Sequence, residues 1–314
     1  MNRIYTIGET VLDIIFRNGQ IETAMAGGAM LNTAVSLSRL HQPIFLLSEW
    51  GEDGPGEIIQ NFLISNEVNT SFCKTYDKGN TSISIANIDS DGNATYTFYK
   101  NYPPQRFQIT MPNFEPGDFV LFGSFFSIDP AIRPQMIKIL NQAKAKNSLI
   151  IYDPNYRKNH LASLLQSLPF IQENIKFSHI IRGSYEDFQN IFGLNSYSQI
   201  FEKIQSLGGQ LLIITHGGEE ITLFKEGIQT RIAAAPAEII STIGAGDAFN
   251  AGLIYELFRR QIMPENLHKI ASCEWAEILS VASSFAADTC SHYENYISYE
   301  FAKQILFSRA KWKY

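Results

Sequence analysis

Residues Ser241 to Gly252 read STIGAGDAFNAG: two glycines flank an alanine, one carboxylate follows, and an apolar run comes next. The apolar residues recur at helical spacing, which predicts a tight glycine turn that opens directly into a buried helix. The backbone N–H groups of Ala245, Gly246 and Asp247 would have no partner inside that helix and would lie at its positive dipole end. The stretch therefore predicts a site for a phosphate or another developing anion.

Asp247 is the unexpected residue of this stretch, because a carboxylate repels the anion that the amides attract. Two interpretations stay open. An aspartate is a common helix N-cap; alternatively, Asp247 accepts a proton from a hydroxyl group while the amides hold the charge of a transferring group. The positive end of a helix should lower the pKa of Asp247, which predicts an ionised, weak base at neutral pH.

Two common glycine motifs are excluded. A Walker A loop requires Lys and then Ser or Thr after its last glycine, and the sequence contains no such run. A dinucleotide fingerprint requires a third glycine three residues after Gly246, where Phe249 stands instead. The glycine turn therefore belongs to another class of anion site.

Composition narrows the class of protein. The chain has 314 residues, enough for one large domain or for one large and one small domain. With 25 basic and 31 acidic residues and no long basic run, we expect no nucleic-acid partner. Three scattered cysteines predict free thiols. The first residues lack the apolar region of a signal peptide, and no stretch reaches about 18 apolar residues, so we expect no membrane partner and a cytoplasmic protein.

The order of apolar runs predicts an α/β fold. Strand and helix patterns alternate along most of the chain, which indicates a mostly parallel sheet with crossover helices. Residues 80–100 break that alternation with two β-rich segments around the turn Ser90-Asp91-Gly92-Asn93, which predicts an antiparallel hairpin. We therefore expect one domain over residues 1–314, with a small β lid inserted at about 10–25 and 80–105.

Polar residues cluster where predicted strands end. Residues 153–157 read DPNYR after an apolar strand, and ligands of open α/β sheets bind at such carboxyl ends, which favours anion binding by Arg157. Ser184 and Asp187 fit an N-cap with an acidic first turn, the commoner explanation in isolation. His216 closes a buried strand without an evident partner in the sequence, which favours a loop histidine.

With these motifs placed, the chain resembles the ribokinase-like (PfkB) family of carbohydrate kinases over nearly its whole length. The motifs that carry the resemblance are Gly8-Glu9 with Asp13, Gly27-Gly28-Ala29 with Asn32, Gly51-Glu52-Asp53 with Gly56, Asp153-Pro154-Asn155-Tyr156-Arg157, Thr215-His216-Gly217 and Gly244-Ala245-Gly246-Asp247. The opening motif, the Gly-Gly-Ala segment and Asp-Pro-Asn-Tyr-Arg look most like the fructokinase branch. The resemblance implies a Rossmann-like sheet with helices on both faces and a β lid that closes over a sugar.

The resemblance also implies a reaction, the transfer of the γ-phosphoryl group of Mg-ATP to a sugar hydroxyl, with fructose as the first candidate. The residues implied to be catalytic are Asp247 as the base, the anion-hole residues Gly244, Ala245 and Gly246, and Arg157 beside the phosphates. Those implied to bind the sugar are Asp13, Gly27, Gly28, Asn32 and Asp247. Those implied to bind the nucleotide are Ser184, Asp187, Thr215, Gly217, Gly244 and Gly246, with part of the adenine pocket from the helix around 282–287.

Two departures from the family pattern leave questions open. Ser241 stands where the family usually has an aspartate that helps to bind a monovalent cation, so potassium activation is undecided. Ser184 and Asp187 replace the usual Asn-x-x-Glu, so magnesium is expected to arrive on ATP without a named protein ligand. Alternative acceptors are 2-keto-3-deoxygluconate, ribose or a nucleoside, and the alternative class is a catalytically silent regulator that binds sugar or nucleotide. A homodimer through the lid is a further implication.

Overall fold

The computed structural model describes residues 2–88, 94–157, 161 and 163–310, so the predicted turn at Ser90–Asn93 lies outside the described residues. The strands within these ranges are β1 (Ile4–Ile7), β2 (Val11–Arg17), β3 (Gln20–Gly27), β4 (Ile44–Leu47), β5 (Glu49–Gly51), β6 (Lys74–Tyr76), β7 (Asn80–Ile88), β8 (Ala94–Asn101), β9 (Phe119–Gly123), β10 (Leu149–Asp153), β11 (Ile180–Ser184), β12 (Leu211–His216), β13 (Glu220–Lys225) and β14 (Ile228–Ala233). The α-helices are α1 (Ala29–Ser38), α2 (Gly54–Ser65), α3 (Arg133–Ala145), α4 (Leu164–Phe177), α5 (Tyr185–Phe192), α6 (Tyr197–Ser206), α7 (Ala245–Arg259), α8 (Ser272–Cys290) and α9 (Tyr299–Ala310). No helix in the described part of the chain combines the length and the apolar content that crossing a membrane requires.

The large sheet has the strand order β14-β13-β12-β11-β10-β9-β1-β4. Neighbours from β12 to β4 are parallel, whereas β13 and β14 are antiparallel. Parallel strands covered on both faces are apolar throughout, as in β9, where every residue of FVLFG is buried. One face packs on α1, α2 and α7–α9, and the other on α3–α6. The predicted α/β fold class is confirmed.

A second, four-stranded sheet has the order β3-β2-β7-β8. Its strands β2 and β7 are parallel, and the outer pairs β2–β3 and β7–β8 are antiparallel. The chain enters this sheet directly from the carboxyl end of β1, because β1 ends at Ile7 and β2 begins at Val11. The small sheet is thereby carried beside the carboxyl edge of the large sheet, where ligands of such folds bind.

Candidate active site

The glycine turn opens α7 as predicted, with Gly244 as its N-cap in a left-handed conformation (φ 81°). A Cβ at Gly244 would also collide with the backbone of Asn295, so glycine is required for two reasons. Asp247 is the third residue of the helix, and the N-cap interpretation is therefore wrong. Among the described residues, the N–H groups of Gly246 and Asp247 have no acceptor, while that of Ala245 makes a long bond of 3.4 Å to the carbonyl of Thr242. The structure therefore leaves two donors free at this turn, rather than the predicted three.

The Asp247 carboxylate is held from α1. Asn32 Nδ2 donates to Asp247 Oδ2 over 2.8 Å, and Thr33 Oγ1 donates to the backbone carbonyl of Asp247 over 3.0 Å. Both donors are buried. The amide oxygen of the same side chain, Asn32 Oδ1, is buried with no partner in the described part of the chain.

The predicted direction of the Asp247 pKa shift is wrong. Burial raises the pKa of Asp247 to about 7, and the negative charge of Asp153 acts in the same direction. The hydrogen bond from Asn32 and the charges of Arg157 and Arg182 lower it, but together they do not offset burial. The helix end alone therefore does not decide the protonation state. A carboxylate with a pKa near 7 is a stronger base at neutral pH than an ordinary aspartate.

The predicted sugar-binding residues are brought together beside Asp247. Asp13 lies on β2 opposite the end of β3, and a Cβ at Gly27 would collide with its carboxylate. Gly28 (φ 123°) turns the chain into α1, where the backbone N–H of Asn32 donates to the Gly28 carbonyl over 2.9 Å. Burial raises the pKa of Asp13 to about 6, with a smaller rise from Glu9 and an opposing hydrogen bond from Ser84. This half-buried carboxylate lies beside the residues that hold Asp247.

The sequence patterns did not single out two basic side chains near Glu9, those of Lys100 and Arg106. Lys100 of β8 forms an ion pair of 2.9 Å with Glu9, and the buried Arg106 pairs with Glu49 at 2.7 Å and with Asp129 at 2.5 Å. Burial raises the pKa of Glu49, and Glu9 contributes a smaller rise, so the two ion pairs are neighbours. Both cations are thus already matched by carboxylates.

A cavity of about 920 Å³ lies on the other side of Asp247, at the carboxyl ends of β10, β11 and β12. The predicted residues that line it are Arg157, Ser184, Asp187, Thr215, Gly217, Ala245, Gly246 and Asp247. Its opposite wall is largely apolar and includes Ala234, Pro236, Ala286 and Ala287. Asp13, Gly27, Gly28, Asn32 and Gly244 do not line it, so Asp247 stands between two separate surfaces.

Ser184 and Asp187 form a capping box at the start of α5. The Asp187 N–H donates to Ser184 Oγ over 3.1 Å, and the Ser184 N–H donates to Asp187 Oδ2 over 2.8 Å. Burial raises the pKa of Asp187, and Asp153 contributes a smaller rise. Within the described residues, no three His, Cys, Asp or Glu side chains are grouped to hold a metal ion.

Arg182, which sequence reasoning passed over, lies at the floor of this cavity. Its Nη1 donates to Asp153 Oδ2 and its Nη2 to Thr215 Oγ1, each over 2.8 Å. Asn250 Nδ2 donates to the same Asp153 oxygen over 2.6 Å. The available signal was a basic residue within a short strand that begins with two isoleucines.

His216 is not the partnerless loop histidine that the sequence favoured. It is the last residue of β12 and lines the cavity. Its Nδ1 lies 2.7 Å from the hydroxyl of Tyr197, and its ring centre lies 4.7 Å from that of Tyr185. The partners come from α5 and α6, so only the folded chain supplies them.

Comparison with known proteins identifies the family of the chain. The model of the pfkB family carbohydrate kinases matches residues 1–300. The chain is 24% identical over 278 residues to the fructokinase of Vibrio alginolyticus, an alignment that covers 88% of this chain and 91% of that protein.

Solved structures show the same fold. The fructokinase of Vibrio cholerae O395, in its fructose, ADP and calcium ion bound form, has a TM-score of 0.82 at 21% identity over 94% of each chain. A double mutant of that enzyme with fructose, ADP and potassium ion bound is similar to the same degree. Aminoimidazole riboside kinase from Salmonella enterica, complexed with aminoimidazole riboside and an ATP analog, has a TM-score of 0.83 at 19% identity over 98% of this chain and 99% of that one. With a family model matched over almost its full length, the chain belongs to the pfkB family of carbohydrate kinases and is a phosphotransferase.

Proposed function

We propose that the protein transfers the γ-phosphoryl group of Mg-ATP to a hydroxyl of a neutral sugar, with fructose as the first candidate. One observation carries the proposal. Asp247 is hydrogen-bonded to Asn32, which lies near Asp13, and it also lines the 920 Å³ cavity. A base in that position reaches an acceptor on one side and a nucleotide on the other. Similarity to proteins named fructokinase supports the choice of acceptor.

The chemical step follows from this arrangement. The acceptor oxygen attacks the γ-phosphorus, a new O–P bond forms, the P–O bond to the β-phosphate breaks, and ADP leaves. The hydroxyl proton passes to the carboxylate of Asp247. The free N–H groups of Gly246 and Asp247 stabilise the charge that develops on the transferring group. Arg157, an exposed residue at the cavity wall, supplies a further positive charge to the phosphates.

The remaining predicted residues receive roles by position. Thr215 and Gly217 lie along the nucleotide cavity with Ser184 and Asp187, and the apolar wall near Ala286 suits an adenine ring. Magnesium is brought by ATP, held mainly by phosphate oxygens and water. On the other side, Asp13 and Asn32 accept hydrogen bonds from sugar hydroxyls, while Gly27 leaves space for the Asp13 carboxylate and Gly28 lets the backbone pass close to Glu9.

The paired charges favour a neutral acceptor over an acid sugar such as 2-keto-3-deoxygluconate. A carboxylate substrate requires an unmatched cation, but Lys100 is paired with Glu9 and Arg106 with Glu49 and Asp129. Asp13 would add repulsion. A nucleoside acceptor remains the second candidate, because the riboside kinase from Salmonella enterica has an equally similar fold.

We also propose that the small sheet is a lid within a single domain and that two lids pair in a homodimer. Its strands carry exposed apolar residues, with Ile21 65%, Phe98 43% and Tyr99 57% accessible. Exposed apolar side chains on both edge strands of one small sheet favour burial against another chain. Sedimentation equilibrium of the wild-type protein and of Ile21→Glu tests the pairing; a monomeric wild type contradicts it.

We expect potassium-independent turnover in the experiment that tests the function. Ser241 carries no charge, and its Oγ accepts a bond of 3.2 Å from the N–H of Ile243, so this position lacks the carboxylate with which the family pattern holds a monovalent cation. ADP release from Mg-ATP is measured with fructose, ribose, 2-keto-3-deoxygluconate and adenosine, each with and without potassium. A large potassium activation contradicts this expectation.

The acceptor panel decides between the candidate functions. Highest turnover on fructose supports the proposal, and turnover on another acceptor retains the mechanism but replaces the substrate. Saturable sugar binding without turnover on any acceptor favours the catalytically silent regulator.

The pH dependence of kcat should follow the ionisation of Asp247. Its pKa is raised to about 7, so the basic form is present above pH 7 and is lost as the pH falls through that value. We expect kcat to rise with pH towards a plateau above about pH 7. Burial raises the pKa of Asp13 to about 6, so its protonation should weaken acceptor binding only below that pH. A kcat that stays constant from pH 5.5 to 8 would contradict the assignment of Asp247 as the base.

A further inference from the structure

Arg182 has no role in the reaction described above, although it is among the most enclosed charges of the molecule. Its side chain lies at the cavity floor with 5% of the residue exposed. A buried cation is costly unless it is paired and hydrogen-bonded. Asp153 and Thr215 supply those partners, and within the described residues Nε has none.

The guanidinium lies directly beneath the turn that carries the free amides. A Cβ at Gly246 would come within 2.9 Å of Arg182 Nη1, so glycine at that position allows the close approach. The guanidinium carbon lies 5.0 Å from the ring centre of Phe249, and Asn250 bonds to the same carboxylate as Arg182 does. Arg182 and Asp153 therefore tie the first turns of α7 to the ends of β10, β11 and β12.

The contact between Arg182 and the Gly246 turn also affects the ionisation of Asp247, because other charged groups lie around that carboxylate. The groups that face Asp247 are Asp153 from β10, Arg157 from the loop after it, Arg182 from β11 and Asn32 from α1. Two neighbouring carboxylates disfavour each other's ionisation. Arg182 bonds to one of them and lies beside the helix turn of the other, so it offsets that repulsion.

We propose that Arg182 is a positioning residue for phosphoryl transfer: it holds the Gly246 turn against the strand ends, and its charge balances Asp153 and Asp247. The free amides and the Asp247 carboxylate are thereby directed at the same phosphoryl group. This role rests on the proposed function. Lysine cannot replace it fully, because an ammonium does not reproduce the fork that reaches Asp153 and Thr215 together.

The test compares Arg182→Met and Arg182→Lys with Arg133→Met. Arg133 is an equally buried arginine (6% exposed) that bonds to Glu173 and Asn174 on the other side of the molecule. We expect Arg182→Met to lower kcat about 100-fold, the scale of losing one anion-hole donor. The acid limb of its kcat profile should move about one pH unit higher. Arg182→Lys should keep the wild-type acid limb with a partial loss of kcat.

Arg133→Met should lose stability while keeping the wild-type acid limb and kcat of its folded fraction. An Arg182→Met enzyme with the wild-type kcat or the wild-type acid limb overturns the proposal. If that variant does not fold, Arg182→Lys decides, since a wild-type kcat in the lysine enzyme overturns it as well.

A second readout keeps this role separate from the proposed function. Wild-type protein that turns over none of the acceptors contradicts the proposed function alone. Calorimetric titration with a non-hydrolysable ATP analogue, which carries the γ-phosphate, then still tests Arg182, because a displaced Gly246 turn should weaken binding of the analogue about tenfold, the lower end of the range for a single lost charged hydrogen bond. Equal affinities of wild type, Arg182→Lys and Arg182→Met for that analogue overturn the positioning role.

Discussion

Asp247→Asn should lower kcat about a thousandfold while leaving ADP affinity and folding almost unchanged. The loss is expected because an amide cannot take the proton of the acceptor hydroxyl, and a positioned base contributes a factor of this order. Folding should persist because the asparagine Oδ1 can still accept the bond from Asn32 Nδ2. Burial of the charged carboxylate is unfavourable, which is why the pKa of Asp247 is raised to about 7. Because the asparagine carries no charge, this cost is absent in the variant, and the melting temperature should not fall.

The measurement is kcat under saturating Mg-ATP and acceptor, with ADP binding by calorimetry and melting by circular dichroism. Asp118→Asn is the matched control, since Asp118 is a fully buried carboxylate whose hydrogen-bond donors among the described residues are the N–H groups of Arg3 and Glu115. The control should be less stable and fully active. An Asp247→Asn enzyme with more than a tenth of the wild-type kcat would remove the base assignment.

Asp13→Asn should raise the KM of the acceptor roughly 100-fold or more with a much smaller effect on the KM of Mg-ATP. A carboxylate that accepts bonds from two hydroxyls contributes about 1.5–3 kcal/mol per charged hydrogen bond. Because burial raises the pKa of Asp13 to about 6, the neutral amide should be tolerated or should stabilise the fold. Stability and acceptor affinity are therefore expected to change in opposite directions.

Initial rates at varied acceptor concentration separate this effect from a general loss of structure. Glu22→Gln serves as the control on the small sheet, because Glu22 is exposed and pairs only with Arg17 among the described residues. It should retain the wild-type KM. An unchanged acceptor KM in Asp13→Asn would place the acceptor elsewhere.

The local patterns were sufficient to predict the fold. Alternating strand and helix periodicities indicated the parallel sheet, and the β-rich segments of residues 80–100 indicated a second sheet before any contact was known. The Gly244–Asp247 turn was also predictable, because its conformation depends on glycines that are adjacent in the chain. Such features are determined within a few residues.

The environment of each site residue was not predictable in the same way. Asn32 and Asp247 are 215 positions apart; the family resemblance assigned both to the sugar site, but no local pattern predicted the hydrogen bond between them. The expected lowering of the Asp247 pKa used the only neighbour that the sequence shows, the helix end. Burial by distant segments and the charge of Asp153 reverse that direction.

What the sequence determined by itself is therefore the order of elements, the fold class and the turn that opens α7, since each follows from short-range periodicity. Only the tertiary structure decided which charges are matched: Lys100 with Glu9, Arg106 with Glu49, and Arg182 with Asp153. The reason is physical, because an ion pair and the dehydration that strengthens it are made by segments far apart in the chain.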